Sequence, residues 1–266
     1  MAQFVILPVP FEKTTTYGKG TKKGPAAILA ASQQIETFDE ELLQETYKLA
    51  GIRVAKPVKV FGLKSLVVGL LNAGKTPVVL GGEHSITPLV VSAFAQKYQN
   101  LSVLQLDAHA DLRDSYQGSK NSHACAMRRT LEICPVVQAG IRNIAKEEYN
   151  FAKSCGQLTK VHFAAKLAPI KKILSQLSRH VYITIDVDVF DPSLVPATGT
   201  PEPGGLFWDQ VLDILRAVCA KKKVVGFDVV ELAPIKGLPA SDFTAAKLIY
   251  RLMGYLAKQP FFGLPH

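Results

Sequence analysis

The stretch "VLQLDAHADLRD", residues 103–114, decides how this chain folds. Its first four residues read as a buried β-strand, and Asp107, His109 and Asp111 then follow at every second position. Because alternate residues of an extended chain point to the same side, these three side chains are expected to converge on one point beyond the strand. Two carboxylates and an imidazole gathered there indicate a functional site.

Short apolar runs similar to this strand alternate with amphipathic segments along the chain. The predicted strands cover 4–9, 50–55, 77–82, 102–108, 136–141, 161–164, 181–189 and 224–230. The predicted helices cover 25–36, 62–74, 86–98, 125–133, 145–155, 169–178, 207–222 and 243–258. Continuous apolar strands separated by helices predict an α/β fold in which a mainly parallel sheet is covered on both faces.

Polar residues interrupt this pattern at the ends of four strands. They are His84 after "VVLGG", Asp107, His109 and Asp111 after "VLQL", Asp186, Asp188 and Asp191 in "DVDVFD", and Glu231 after "GFDVV". Ligands of open parallel sheets bind beyond the carboxyl ends of the strands. Four strands are therefore expected to bring acids and histidines to one edge of the sheet.

Each of these residues has an ordinary structural explanation when it is taken alone. His84 suits a helix cap or a core position, and an aspartate at the end of a strand often caps the next helix. Together, however, several ionised carboxylates in a partly buried pocket repel one another, and removing them from water is costly unless they are compensated. The group therefore predicts a bound cation.

The predicted metal site combines four carboxylates with two imidazoles and contains no thiolate. Its members are His84, Asp107, His109, Asp111, Asp186 and Asp188. This set is larger than one ion normally needs, and its oxygen-rich character favours Mn²⁺ over zinc. We predict a pair of Mn²⁺ ions, whose charge the four carboxylates neutralise. Water between two such ions loses a proton near neutral pH and becomes a nucleophile.

The composition argues against several other classes of protein. The chain has 266 residues, with 31 basic against 22 acidic residues and a net charge of +9. Its lysines are scattered, and the run at 221–223 suits a helix C-terminus, so we expect no nucleic-acid partner. Neither a secretory signal nor a bilayer-spanning segment is predicted, and the four cysteines lack metal-binding spacing. We expect a cytoplasmic protein without a membrane partner, with buried free thiols and one domain over 1–266.

Five ordered motifs resemble the ureohydrolase family, the arginase and agmatinase group of binuclear manganese hydrolases. They are "GGEHS" at 81–85, "DAHADLRD" at 107–114, "SHACAMRR" at 122–129, "DVDVFDPSLVPATGTPEPGG" at 186–205 and "GFDVVELAP" at 226–234. The stretch "VPFEKTTTYGKGTKKGPAAI" at 9–28 resembles the family's N-terminal loop and first helix. The resemblance covers most of the chain and implies a three-layer αβα sandwich around a mainly parallel, eight-stranded sheet.

The resemblance also implies a role for each matching residue. The six residues of the predicted metal site match the positions that ligate the two metals in the family. Asp111 would in addition pass a proton to the leaving amine, and His123 would assist substrate binding and proton transfer. Glu231 would hold the substrate guanidinium by charge-assisted hydrogen bonds. The family forms trimers or hexamers, so a homo-oligomer is expected here.

The loop "LRDSYQGSKNSHACAMRR" at 112–129 bears on the choice of substrate. It resembles agmatinases more closely than arginases, and so does "VVQAGIRNIAKEEYNFA" at 136–152. We therefore predict a small cationic guanidino substrate, agmatine, which is cleaved to putrescine and urea. Asn121 departs from the aromatic residue expected there in many agmatinases, and its role is open. Arginine, guanidinobutyrate and guanidinopropionate consequently remain alternative substrates.

Three hypotheses other than an active ureohydrolase also remain open. A zinc deacetylase shares the fold and an Asp-His-Asp core, but a single ion would leave His84, Asp111 and Asp188 without a task. A non-catalytic basic binding protein would instead show binding to nucleic acid that depends steeply on salt. An inactive ureohydrolase serving as a partner subunit is the third hypothesis, although every ligand position is filled.

Four residues close to the motifs are assigned non-catalytic roles. Cys125 lacks a nearby base and is expected to serve packing. Arg128 and Arg129 are expected in ion pairs at a helix surface or between subunits, because the substrate is itself cationic. Asp191, which precedes a proline, is expected to organise the loop that follows the metal site.

Overall fold

A computed structural model describes residues 3–259 of the chain. Its main feature is an eight-stranded sheet in which neighbouring strands run parallel. The strands, of which β2 and β3 form a separate hairpin, are β1 (Phe4–Val9), β2 (Phe38–Asp39), β3 (Gln44–Glu45), β4 (Ile52–Val54), β5 (Thr76–Gly81), β6 (Leu101–Leu106), β7 (Val136–Ile141), β8 (Val161–Phe163), β9 (His180–Asp186) and β10 (Lys223–Val230). The α-helices are α1 (Gly24–Ala31), α2 (Thr46–Ala50), α3 (Val60–Asn72), α4 (Thr87–Lys97), α5 (Ala126–Leu131), α6 (Lys146–Ser154), α7 (Ile170–Gln176), α8 (Trp208–Lys221) and α9 (Ala240–Ala257).

Helices cover both faces of the sheet. One hydrophobic cluster joins the sheet to α1, α7, α8 and α9, and a second joins the opposite face to α3, α4, α5 and α6. Every residue of β1, β6 and β7 is buried, which explains why these strands read as continuous apolar runs rather than as alternating ones. The predicted three-layer α/β sandwich with eight parallel strands is confirmed.

The order of strands across the sheet brings the predicted site together. That order is β4-β1-β5-β10-β9-β6-β7-β8. Although β5 and β6 follow one another in the sequence, β10 and β9 lie between them. The four strands whose ends carry the predicted ligands and Glu231 are therefore consecutive neighbours in the middle of the sheet. In open parallel sheets, ligands bind in the crevice outside the carboxyl ends of the strands, at the point where the order of the strands reverses.

The segment between α1 and β4 differs from the prediction. The predicted helix over 25–36 ends already at Ala31, and the unpredicted hairpin β2–β3 and helix α2 follow. The hairpin has only two residue pairs, Phe38 with Glu45 and Asp39 with Gln44. Such a short ladder lacks the alternation over four to eight residues that identifies a strand in a sequence. Contacts with α9, far along the chain, hold it in place.

Two further expectations concern membranes and cysteines. Within residues 3–259, none of the helices combines the length and apolar character needed to cross a membrane. All four cysteines are free, as predicted. Cys125, Cys134 and Cys219 are buried, but Cys155 is exposed, which corrects the expectation of buried thiols. Cys155 follows the last residue of α6, where that helix reaches the protein surface.

Candidate metal centre and active site

The strand ends bring the six predicted ligands into two groups. In the first, Nδ1 of His84 lies 3.1 Å from Oδ2 of Asp107, 3.3 Å from Oδ2 of Asp111 and 3.6 Å from Oδ2 of Asp186. In the second, Nδ1 of His109 lies 2.8 Å from Oδ2 of Asp188 and 3.7 Å from Oδ1 of Asp107. Asp107 thus offers one oxygen to each group, as a carboxylate that bridges two ions would.

The local backbone of these loops follows from the sequence. In "DVD", Oδ1 of Asp186 accepts a hydrogen bond of 2.9 Å from the backbone N–H of Asp188, which turns the chain so that both carboxylates face the crevice. Asp111 and Glu231 have φ angles of 53° and 64°, in the left-handed region that residues other than glycine rarely adopt. Backbone strain of this kind concentrates at functional sites.

The electrostatics of the cluster show a need for positive charge. Burial, reinforced by the nearby charge of Asp188, raises the pKa of Asp107 to about 7. Burial and the carboxylates of Asp188 and Asp107 raise the pKa of Asp186 well above its ordinary value. Burial acts to lower the pKa of His109, but the carboxylate of Asp188 outweighs it and raises that pKa to about 11. Protons, or cations in their place, are therefore held tightly in this cluster.

The hydrogen bonds of His84 reveal which of its nitrogens is free for a metal. Nε2 lies 2.9 Å from the hydroxyl of Thr184, and that hydroxyl gives its only hydrogen to Oδ1 of the buried Asp228. Asp228 also accepts hydrogen bonds from the hydroxyls of Thr87 and Tyr182, each at 2.9 Å. Thr184 can therefore only accept from His84, so Nε2 carries a hydrogen, and Nδ1 keeps its lone pair in the neutral ring. Burial acts to lower the pKa of this ring, but the carboxylates of Asp107, Asp111 and Asp186 outweigh it and raise that pKa well above its ordinary value, so a proton or a metal ion occupies Nδ1.

This lone pair is the observation that tests whether a metal fits. Nδ1 of His84 is buried and has no hydrogen-bond partner within residues 3–259, yet three carboxylates surround it. A lone pair and several carboxylate oxygens aimed at one point is the arrangement that a divalent cation satisfies. The donors are oxygen and imidazole nitrogen, which suit a hard to borderline ion. The residues present therefore fit a metal.

The cluster forms the floor of a cavity of about 190 Å³. Glu231 and His123, the two predicted substrate-binding residues, both line it, together with Asp111. The other walls were not predicted from the sequence. They are Thr15 to Gly18 from the N-terminal loop, Thr198 to Thr200 from the loop after β9, and Arg113, Tyr116, Asn143 and Glu148. The polar run "TTTYG" after a buried strand was the available signal for the first of these walls.

The N-terminal loop reaches the site because two glycines allow close backbone contact. A Cβ atom on Gly82 would lie 1.9 Å from the carbonyl oxygen of Phe11, and the N–H of Glu83 donates to that oxygen at 2.9 Å. A Cβ atom on Gly18 would likewise lie 2.6 Å from the carbonyl oxygen of Gly199, to which Gly18 donates at 3.0 Å. Side chains at either position would push the loop away from the cavity.

The residues with predicted non-catalytic roles lie outside the cavity wall. Cys125 is fully buried, and burial raises the pKa of its thiol, which fits a packing role. Arg129 pairs with Asp114 at 2.7 Å, and Arg128 lies 4.0 Å from the same carboxylate with its guanidinium over the ring of Phe151. Asp191 accepts hydrogen bonds from Ser193, Gly204 and Gly205 and so closes the loop after the metal site. Asn121 is exposed and does not line the cavity.

A parallel αβα sheet with two acid–histidine groups at its carboxyl edge defines the class of protein as a hydrolase with paired metal positions. The family model of the arginase family matches residues 2–254. The chain therefore belongs to the arginase family, whose members are binuclear metal enzymes. The predicted resemblance to the arginase and agmatinase group is confirmed.

Individual relatives cover nearly the whole chain. The N(1)-aminopropylagmatine ureohydrolase of Synechocystis is 39% identical over 96% of this chain and 89% of its own length. The agmatinase of Pyrococcus horikoshii is 38% identical over 97% of this chain and 93% of its own. The crystal structure of agmatine ureohydrolase of Thermoplasma volcanium superposes with a TM-score of 0.85 at 31% identity, covering 96% of this chain and 90% of that one.

Proposed function

We propose that this protein hydrolyses the guanidino group of agmatine, releasing putrescine and urea, with two Mn²⁺ ions per subunit. The observation that carries the proposal is that the buried carboxylate of Glu231 lines the same cavity as five residues of the six-residue cluster, all except Asp107. A site for metals and a site for a cation thus share one space. A guanidino compound needs both, because its carbon is a poor electrophile and its charge requires a partner.

Each group of ligands would hold one ion. The first ion would be held by His84, Asp107, Asp111 and Asp186, and the second by His109, Asp107 and Asp188. The four carboxylates would balance two divalent charges, and the oxygen-rich donor set favours Mn²⁺ over zinc. Bound ions of this kind supply a water that is acidic enough to act as a nucleophile near neutral pH.

Glu231 is suited to bind the guanidinium. Its Oε1 accepts a hydrogen bond of 2.7 Å from the backbone N–H of His84, which fixes the carboxylate beside the cluster. Burial raises the pKa of Glu231 to about 8, so the ionised form depends on a cation. A substrate guanidinium supplies that cation and forms charge-assisted hydrogen bonds with the carboxylate.

Asp111 and His123 would transfer protons during the reaction. The amine that leaves the guanidino carbon must take up a proton, and both side chains line the cavity in which it is released. Asp111 is held at the cluster by its position beside His84, and its backbone oxygen accepts from the N–H of Arg128. His123 lines the same cavity, next to the N-terminal loop. Positioned acid–base groups of this kind typically contribute about 10²–10⁴-fold to a rate.

The charge of the cavity wall favours an amine over an amino acid as substrate. Among the described residues that line the cavity, Arg113 is the one lysine or arginine, and its guanidinium is paired with the carboxylate of Glu147. A substrate carboxylate, as in arginine or guanidinobutyrate, therefore meets no unpaired guanidinium. Glu148 adds a further acid to the wall. Agmatine, which carries an amine at its far end, matches this surface.

N(1)-aminopropylagmatine is a second candidate substrate. Relatives with 39% and 41% identity carry the name of an enzyme for this compound. The side chain of Tyr17 at the rim of the cavity is 82% exposed, so a longer amine has a route towards solvent. Both candidates present the same guanidino group to Glu231, and they differ only in the chain that extends from it.

The test is urea release with added Mn²⁺ from agmatine, N(1)-aminopropylagmatine, arginine, guanidinobutyrate and guanidinopropionate. We expect the highest kcat/KM for agmatine, with its aminopropyl derivative as the nearest competitor. The variant Glu231→Gln should lower kcat/KM about 10- to 100-fold, chiefly through KM, because it removes a charge-assisted contact. Glu36→Gln, at an exposed position, is the matched control. Release of urea from none of the five compounds, or a preference for arginine, contradicts the proposal.

Three further features belong to the same proposal. We propose that residues 1–266 act as one ureohydrolase domain, because a single central sheet carries all the site residues. A homo-oligomer, trimer or hexamer, and a cytoplasmic location remain predictions from the sequence. Analytical ultracentrifugation with and without Mn²⁺ measures the first of these directly.

A further inference from the structure

A chain of hydrogen bonds links a buried acid in "GGEHS" to His123. Glu83 is fully buried, and it accepts from the backbone N–H groups of Lys13 at 2.5 Å and Thr14 at 2.6 Å. It also accepts from the hydroxyls of Thr14 at 2.7 Å and Ser85 at 2.5 Å. The hydroxyl of Thr14 in turn lies 3.1 Å from Nδ1 of His123 and accepts from the backbone N–H of His123 at 3.0 Å.

The hydrogens in this chain can be counted. A carboxylate only accepts, so the single hydrogen of the Thr14 hydroxyl is committed to Glu83. Its two lone pairs then accept from the N–H and from Nδ1 of His123. Ser122 lies 3.4 Å from the same nitrogen, too far to compete with the contact to Thr14. Nδ1 of His123 must therefore carry a hydrogen, whether the ring is neutral or protonated.

We propose that Thr14 is a positioning residue that holds His123 in its Nδ1–H tautomer and so presents Nε2 to the substrate. Among the described residues, no hydrogen-bond partner of Nε2 is found, and His123 lines the cavity above the cluster. The neutral ring then has its lone pair on Nε2, where it can take a proton, and the protonated ring donates from that same atom. The proposal rests on the proposed function, because it assigns a part in that reaction to the N-terminal loop.

The arrangement also gives the buried carboxylate of Glu83 a role. Glu83 is held by four N–H or O–H donors and has no lysine or arginine partner within residues 3–259. Buried carboxylates are costly, and replacing this one by an apolar residue would remove that cost. Its contact with Thr14 gives it a specific purpose, since it determines the direction of the hydroxyl that receives His123.

Kinetics with Mn²⁺ and agmatine provide the first test. Thr14→Val keeps the shape but removes the hydroxyl, and we expect kcat to fall about 10- to 100-fold with less than about a threefold change in KM. Thr14→Ser restores the hydroxyl and should stay within about threefold of the natural chain. Thr159→Val, at an exposed threonine, is the matched control. Metal content and the melting temperature are measured for each variant, so that a loss of ions or of folding is recognised.

A spectroscopic test does not depend on turnover. In ¹⁵N-histidine NMR of the full chain loaded with diamagnetic Mg²⁺, His123 should show the Nδ1–H tautomer, with its signals assigned by His123→Asn. Thr14→Val should shift these signals towards the Nε2–H tautomer, and Thr14→Ser should not. An Nε2–H tautomer in the natural chain overturns the proposal, even where Thr14→Val fails to fold.

The outcomes separate this proposal from the function itself. If the natural chain releases no urea from any guanidino compound, the proposed function fails, whatever the tautomer of His123. If it releases urea and Thr14→Val is equally active with the same metal content, only the role of Thr14 is refuted. Equal losses in Thr14→Val and Thr14→Ser would likewise refute it, because the hydroxyl would not be the group that matters.

Discussion

Two regions of this molecule bury acidic side chains, and they differ in what compensates the charge. At the hairpin β2–β3, the carboxylate of Asp39 is fully buried and is paired with the guanidinium of Arg251, itself only 3% exposed. Arg251 also contacts Glu41 at 2.7 Å and Glu40 at 2.5 Å. Asp39, Glu40 and Glu41 each have an arginine from α8 or α9 as a partner, since Arg216 pairs with Glu41 as well.

At the carboxyl edge of the sheet the compensation is missing. No lysine or arginine within residues 3–259 forms an ion pair with the four aspartates of the cluster, and their titratable basic neighbours are the imidazoles of His84 and His109. The pKa values of one acid from each region shift in opposite directions. The hydrogen bond from Arg216 lowers the pKa of Glu41, whereas burial raises the pKa of Asp107 to about 7. Buried acids with their own arginine hold the fold together, and buried acids without one indicate a site for an external cation.

The largest expected effect comes from the uncompensated region. Asp188→Ala removes a proposed ligand, and urea release should fall at least about a thousandfold, with a lower manganese content by atomic emission. The melting temperature is measured as well, because the variant relieves repulsion among buried acids but also removes the partner of His109 at 2.8 Å. As a control, the natural chain is stripped with a chelator and should regain activity on addition of Mn²⁺, which the variant should not. Full activity after removal of the metal by the chelator would refute the metal-dependent mechanism.

The compensated region should show the opposite behaviour. Arg251→Met leaves the buried Asp39 without a cationic partner, and the free energy of unfolding should fall by about 3–5 kcal/mol in urea denaturation. The kcat of the folded fraction should stay unchanged, because α9 carries no site residue. Arg216→Met is the control at a half-exposed pair and should cost less than about 1 kcal/mol. A loss of manganese without a loss of stability in Arg251→Met would remove the distinction between the regions.

Asp228 lies between these two cases, since neutral hydroxyls satisfy it. Asp228→Asn keeps its shape but turns an N–H₂ group either towards the hydroxyl of Thr184 or towards those of Thr87 and Tyr182, so the hydrogen-bond network that orients His84 is disturbed in both orientations. The apparent affinity for Mn²⁺ should weaken about 10- to 100-fold, as measured by titration with activity and direct binding. An unchanged affinity would show that Thr184 alone suffices to orient the imidazole.

The smallest effect is expected at His162, a buried residue with a neutral partner. Its Nε2 lies 2.7 Å from Oε1 of Gln176, and burial lowers its pKa below the ordinary value. Between pH 7 and pH 5 the unfolded chain therefore binds more protons at this residue than the folded one, so stability falls as the pH falls. His162→Gln should flatten this part of the stability profile. A steeper profile in the variant would mean that the folded state favours the charged ring.

The local patterns of the sequence were sufficient for most of the fold. Buried parallel strands such as β6 and β9 are continuous apolar runs, and their ends carry the polar residues of the site. The hairpin β2–β3 was missed because it is stabilised by pairing with distant residues, as between Asp39 and Arg251, which are 212 residues apart. The walls of the cavity were missed for the same reason, since Thr15 and Thr200 belong to loops that meet only in the folded chain.

The sequence alone determined the layered α/β architecture and the identity of the six candidate ligands. Both follow from short-range regularities, namely apolar runs that must be buried and donor residues placed where those runs stop. Tertiary structure decided that β10 and β9 lie between β5 and β6, which nitrogen of His84 is free, and that Thr14 touches His123. These facts depend on which distant segments come into contact, and the direction of a hydrogen bond has no local signature in the chain.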